Sequence, residues 1–209
     1  MVLNANKKSS NSSMTSSPSS LVRCVHDLYS LGLTTSVSGN HSIRYGNHFM
    51  LITPSAVPRY NLEISQLVKI DLQDGTTYGN IKPSIEWQMH MGIYNTNSKV
   101  RAIVHTHSPY TLGVAISRGF KQVIEEAKLV VGNPSIIRNY PSGSKPLARE
   151  VAKIFGQKKS KAVIIRNHGV VAIGKDIDAA RAVVESLEEW SKILTISEMF
   201  GGPKYYLRD

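Results

Sequence analysis

Two histidines stand one residue apart, His105 and His107, at the end of the apolar run 100–104. In a strand, alternate side chains share a face, so the two imidazoles point the same way about 7 Å apart at Cα. At that separation both can reach one divalent ion at metal–nitrogen distances of about 2.0–2.1 Å. Two ligands do not make a zinc site, which needs three or four. The third candidate is His168, set between the apolar runs 162–165 and 170–173, where Gly169 lets the backbone turn sharply at a sheet end. Glu86 adds a carboxylate near the start of a helix expected over 85–94, and His90, one turn further on, is either a fourth ligand or a packing residue. Taken singly, each of these residues also has a structural reading, as a turn histidine or as an acid favoured at a helix N-terminus. Together they offer more: three neutral imidazoles leave a zinc ion its full charge and an open position, and a carboxylate beside it can carry a proton.

Two small-residue loops could hold the rest of a substrate. Ser36-Val37-Ser38-Gly39-Asn40 combines serine hydroxyls, a carboxamide and a glycine that permits close backbone approach, which suits an anion such as phosphate. Thr53-Pro54-Ser55-Ala56 is a second polar turn. Either loop alone is ordinary turn chemistry.

The elements that must position these residues follow from periodicity. Leu21, Val25 and Leu28 recur at helical spacing and Gly32 ends that helix. Residues 41–45 and 48–52 read as a hairpin turned at Gly46-Asn47, and 67–72 as a strand turned at Asp74-Gly75. Ser84 is the expected cap of the helix over 85–94. Strands are then expected at 100–104, 127–131, 162–165 and 170–173. Helices are expected at 110–116, 145–155 and from Ile177 to about Met199, the last begun by Asp176 and stopped by Gly201-Gly202-Pro203. Interleaved helices and strands over 21–209 indicate a single α/β domain, with hairpins making the sheet at least partly antiparallel.

Composition narrows the function classes. The single cysteine, Cys24, excludes an internal disulfide framework, fits a reducing cytoplasm, and rules out a zinc site of several thiolates. No stretch approaches the ~18 apolar residues of a membrane span. The formal charge of +10 is scattered, and its densest cluster is Lys158, Lys159 and Lys161. Without an aromatic-interleaved basic face, that charge reads as a solvated surface that attracts small anions, not as a nucleic-acid interface. Residues 1–20 hold eight serines and almost no large apolar side chain, the composition of a disordered tail.

In order and spacing, Leu31-Gly32-Leu33, Ser38-Gly39-Asn40, Leu51-Ile52-Thr53-Pro54, Pro83-Ser84 with Glu86-Trp87 and His90-Met91, Val104 to His107, and Asn167-His168-Gly169 resemble the class II aldolase/adducin family. The resemblance covers about residues 21–196. It implies a central, mainly antiparallel sheet flanked by helices, assembled as a homotetramer with sites at subunit interfaces. It implies that His105, His107 and His168 bind Zn²⁺ and that Glu86 is the catalytic acid/base, reaching the metal when no substrate is bound. Gly39, Asn40, Ser55 and Ser84 fall where the family grips a substrate phosphate. The implied reaction is reversible cleavage of a ketose 1-phosphate into dihydroxyacetone phosphate and an aldehyde. Within the family, 4-epimerases typically carry aspartate at the position of Glu86, while decarboxylases and dehydratases of sugar phosphates share the three histidines; an adducin-like binding module is the non-catalytic alternative. Two positions depart from the family pattern. Ile85 stands in place of a second serine and Val37 in place of a threonine, each removing a hydroxyl from the implied phosphate pocket. The tyrosine that the aldolases use to protonate the aldehyde oxygen has no clear counterpart near 122–126, which leaves Tyr205 or Tyr206.

Overall fold

The computed structural model of the protein describes residues 16–157 and 160–207. Its strands are β1 (Asn40–Tyr45), β2 (Phe49–Ile52), β3 (Val68–Asp71), β4 (Thr77–Tyr78), β5 (Ala102–Thr106), β6 (Ser135–Ile137), β7 (Ala162–Ile165) and β8 (Gly169–Gly174). Its helices are α1 (Pro18–Ser30), α2 (Trp87–Thr96), α3 (Pro109–Ser117), α4 (Glu125–Val130), α5 (Lys145–Gly156) and α6 (Ile177–Glu198). The strands form one sheet in the order β4-β3-β2-β1-β5-β8-β7-β6. Every neighbouring pair is antiparallel except β6 with β7, so the expected architecture is the one observed.

Side-chain alternation splits the core into two layers. Ala102 and Val104 of β5 pack with Leu21 and Leu28 of α1 and with Val184 and Leu187 of α6. Ile103, pointing the other way, packs with Met89 and Ile93 of α2 and with Val151 and Phe155 of α5. His105 follows Ile103 by two residues, so the pleat sends its ring to the α2 side. The sheet's central strands, β1, β5 and β8, all run out at the same end, and the candidate residues gather there.

The elements differ from the periodic reading in three ways. Residues 127–131, expected as a strand, form the end of helix α4 and its C-cap, Val131: Glu125 and Glu126 lie in its first turn, where acids are favoured, and Ala127, Val130 and Val131 recur at i, i+3, i+4 toward the α6 layer. Two strands had no usable pattern, the two-residue β4 and the three-residue β6. Helix α1 starts at Pro18, ahead of Leu21, because Ser17 accepts from the backbone N–H of Ser20 and the Ser20 side chain returns the bond, a reciprocal N-terminal cap. The rest of the serine-rich stretch, residues 1–15, lies outside the described residues, as do Lys158 and Lys159.

A buried acid ties α6 to α3 beside the site. Glu188 of α6 is 2% exposed and accepts from the N–H of Tyr110 (3.0 Å), the N–H of Thr111 (2.8 Å) and the Thr111 hydroxyl (2.7 Å). It thereby fixes the start of α3, only two residues after His107. Removing one buried acceptor strands three donors, so Glu188→Ala is expected to destabilise the protein by about 2–4 kcal/mol. Urea unfolding should show a lower midpoint at unchanged slope; an unaltered midpoint would show that the three donors find other partners.

Candidate metal centre and active site

His105 is the penultimate residue of β5, His107 lies just past its end, and His168 occupies the tight turn between β7 and β8. That turn is possible because Asn167 takes a left-handed conformation (φ 58°), which asparagine tolerates better than most residues. Gly169 then lets the three imidazoles close up. A Cβ on it would lie 2.5 Å from the Thr106 carbonyl oxygen and 2.7 Å from Cε1 of His105. The ring centroids are 5.0 to 5.5 Å apart, and one ligand nitrogen of each ring lies within 4.8 Å of the others. Three nitrogens at that spacing match the edges of a tetrahedral metal site after a small inward movement.

The hydrogen bonds assign the tautomer of the central ring. His105 Nδ1 lies 2.9 Å from the Val170 carbonyl oxygen, which can only accept, so the Nδ1 proton is donated outward. Outward donation of this kind is how proteins orient a ligating histidine. The inward Nε2 lies 3.0 Å from Oε2 of Glu86, and Oε1 lies 3.3 Å from Nε2 of His168. Glu86 Oε1, His105 Nε2 and His168 Nδ1 are buried without hydrogen-bond partners. An orphaned carboxylate oxygen beside an imidazole lone pair is a donor set that a divalent cation satisfies. The residues therefore fit a metal ion. In the protein alone, burial opposes charge on both partners. Even so, the attraction of His105, with the Asn40 hydrogen bond, holds the Glu86 carboxyl well below the usual range, and the Glu86 carboxylate raises His105. Burial, reinforced by His105 and His168, pushes His107 down to about 4.

Glu86 occupies the residue just before α2, which starts at Trp87, two residues later than expected. Its side chain makes no capping bond and is free to reach the histidines. Ser84 does not cap the helix; its hydroxyl accepts from the N–H of Glu86 (3.3 Å). Behind Glu86 runs a fully buried polar chain. The Asn40 carboxamide donates to Glu86 Oε2 (2.9 Å) and accepts from Nε2 of His90 (2.7 Å). His90 Nδ1 accepts from the Ser42 hydroxyl (2.7 Å), which accepts from Tyr94 (2.9 Å). Only one set of proton positions satisfies every member, and it makes His90 neutral and uses both its nitrogens. His90 is thus no metal ligand but a support for Asn40.

The two polar loops meet over the metal centre in a cavity of about 200 Å³. Backbone bonds from Ser55 N–H to the Lys82 carbonyl (3.0 Å) and from Ser84 N–H to the Thr53 carbonyl (3.1 Å) bring Ser55 and Ser84 together. Gly39, Asn40, Ser55, Ser84, Glu86, His107 and His168 all line the cavity, and His105 lies buried beneath it. Asn40 faces it with a carboxamide already committed on both sides. Val37 and Ile85 form its apolar rim, 62% and 64% exposed. The sequence reading missed two lining residues: Ser142, whose hydroxyl is 3.4 Å from His168 Nε2, and the buried Arg59. No tyrosine lines the cavity among the described residues. Tyr205 is 89% exposed, and the Tyr206 hydroxyl donates to the Pro203 carbonyl.

Comparison with known proteins finds relatives along most of the chain. Residues 19–195 match the family described as the class II aldolase and adducin N-terminal domain. An L-fuculose phosphate aldolase of Methanococcus maripaludis is 36% identical, the match covering 79% of this chain and 89% of that protein. A 3-oxo-tetronate 4-phosphate decarboxylase of Haemophilus influenzae is 30% identical over 83% of this chain and 84% of its own length. The solved structure of an L-fuculose 1-phosphate aldolase superposes with a TM-score of 0.81 at 29% identity, covering 92% of this chain and 90% of the other.

The buried chain has a consequence for stability. Burial first, then the charge of His105, pushes His90 down to about 3, whereas an unfolded histidine titrates near 6.5. Between those values the unfolded chain binds the extra proton, so His90 lowers stability as pH falls from about 6.5, by up to about 1.4 kcal/mol per unit. His90→Gln keeps a donor for Asn40 and removes that titration. In metal-free protein its urea midpoint should decline less steeply than wild type between pH 6.5 and 4; parallel declines would contradict a neutral His90.

Proposed function

The chain belongs to the class II aldolase and adducin family, a metal-dependent lyase in that family, and from that premise we propose that it is a zinc-dependent aldolase. Its substrate on this reading is a ketose 1-phosphate resembling L-fuculose 1-phosphate, cleaved reversibly into dihydroxyacetone phosphate and an aldehyde. The observation that carries the reading is a cluster of three imidazoles, two of them within 3.0–3.3 Å of one carboxylate whose Oε1 is buried without a hydrogen bond.

A Zn²⁺ ion held by His105, His107 and His168 would supply the Lewis acid for the enediolate oxygens left when the C3–C4 bond breaks. Glu86 carries the proton at C3 through Oε1. Asn40 holds Oε2, so one oxygen is anchored and the other, beside His168, is left without a hydrogen bond to carry the proton. Ser55, Ser84 and the backbone around Gly39 and Asn40 receive the phosphate. The Asn40 carboxamide serves Glu86 instead. The enzyme acts in the cytoplasm as a homotetramer, with neither nucleic acid nor membrane as partner; no described helix is long and apolar enough to cross a membrane.

A second reading has its own support in the decarboxylase relative. Loss of carbon dioxide from a phosphorylated 3-oxo acid also leaves an enediolate-like carbanion, and the same histidines and acid would serve it. The two readings separate in one assay. Zinc-loaded protein given dihydroxyacetone phosphate and a panel of aldehydes should form carbon–carbon bonds; no product there, with carbon dioxide released from 3-oxo-tetronate 4-phosphate, would favour the decarboxylase.

Glu86→Gln tests the proton carrier. It should keep one metal ion per chain by elemental analysis while turnover falls by about 10²–10⁴-fold. Cleavage near the wild-type rate would remove Glu86 from the mechanism.

A further inference from the structure

A phosphate dianion needs positive charge, yet the loops that receive it on the proposed reading are neutral, and Val37 and Ile85 have replaced two expected hydroxyls with hydrocarbon. Among the described residues that line the cavity, Arg59 is the one arginine or lysine. It is 2% exposed and forms no ion pair with a carboxylate among the described residues. Its guanidinium instead donates to five backbone carbonyls. Nε bonds Ser38 (3.3 Å), Nη1 bonds Pro54 (3.3 Å) and Val57 (3.1 Å), and Nη2 bonds Val37 (3.4 Å) and Gly39 (2.8 Å). A guanidinium has five N–H donors, so all of them are spent on the two anion-binding loops. The Arg59 N–H adds a sixth tie, to the Ser36 carbonyl (2.8 Å).

This arrangement has two consequences. In a trans peptide the N–H lies opposite the carbonyl. Drawing the Ser38 carbonyl back onto Arg59 therefore turns the Gly39 N–H away from the guanidinium, on the side of the cavity that Gly39 lines. The peptide dipoles also align with their positive ends away from the guanidinium, so the uncompensated charge of Arg59 is relayed through the loops to the cavity. Burial strengthens that field, because little water intervenes.

We propose that Arg59 is the positioning residue of the phosphate pocket: from behind the loops it sets the backbone that receives the phosphate and supplies the charge that balances it. This rests on the reading of the cavity as a phosphate site.

The test uses zinc-loaded full-length chain and glycerol phosphate as the probe, titrated by calorimetry into wild type, Arg59→Met and Arg59→Lys. Arg59→Met should weaken glycerol phosphate by about tenfold or more. It should raise KM for the ketose 1-phosphate by a similar factor with a much smaller change in kcat, raise KM for the unphosphorylated ketose by a clearly smaller factor, and leave metal content unchanged. Arg59→Lys keeps the charge but has three donors for five carbonyls, so it should fall between the two. Equal affinity in wild type and Arg59→Met would overturn the proposal, as would equal losses on phosphorylated and unphosphorylated ketose, which is what general loop damage gives. If Arg59→Met does not fold, Arg59→Lys carries the test: selective weakening of the phosphorylated ligand supports the role, and wild-type affinity overturns it. The titration is independent of turnover. Wild type that binds glycerol phosphate but cleaves no ketose phosphate rejects the aldolase reading alone, and wild type that does not bind it rejects the phosphate pocket and Arg59 with it.

Discussion

A carboxylate oxygen and an imidazole nitrogen are held 3.0 Å apart inside the protein, with a second imidazole 3.3 Å from the other oxygen of the same carboxylate. Neither water nor another protein donor separates them, so the contact is tolerable only when a proton or a metal ion sits among these atoms. Much of the structure serves to hold that contact. The Val170 carbonyl fixes His105 from one side and Asn40 fixes Glu86 from the other. The two attachments come from β8 and β1, the strands that flank β5 at the centre of the sheet. Relaxing the site would mean breaking central ladders, which are the least compliant part of a sheet protein.

The layer beneath the site shows what that rigidity requires. A packed apolar core would be the stable choice there, yet Asn40, Ser42, His90 and Tyr94 place four polar side chains between β1 and α2. Such a chain is stable because every member is satisfied, and its proton order admits one arrangement. What it contributes is orientation: Asn40 cannot rotate without stranding His90, and Glu86 Oε2 cannot leave without stranding Asn40. The loops above the metal centre are fixed differently, by a buried arginine bonded to their carbonyls. One side of the cavity is therefore rigid through side chains and the other through backbone.

Much of this was legible in the residues and some was not. His105 and His107 could be paired because strand alternation is a local rule, and Gly169 betrayed the turn that presents His168. The long helices announced themselves by spacing and caps. Residues 127–131 were read as a strand because a short apolar run has no period of its own, and contact with α6 decided the matter. β4 and β6 are too short to carry a pattern. The role of His90 was out of reach, since its partners Asn40 and Ser42 lie about fifty residues away and one helix face cannot reveal them. Arg59 was invisible for a related reason. Its partners are carbonyls, which every residue has, so no side-chain motif marks the interaction.

What joins the fold to the chemistry is the claim that the three histidines hold one ion. X-ray absorption at the zinc edge on the purified, zinc-loaded protein tests it directly. Three imidazole nitrogens at about 2.0–2.1 Å, with the remaining coordination filled by oxygen, is the expected first shell. A shell dominated by oxygen, or protein that retains no stoichiometric zinc, would contradict it.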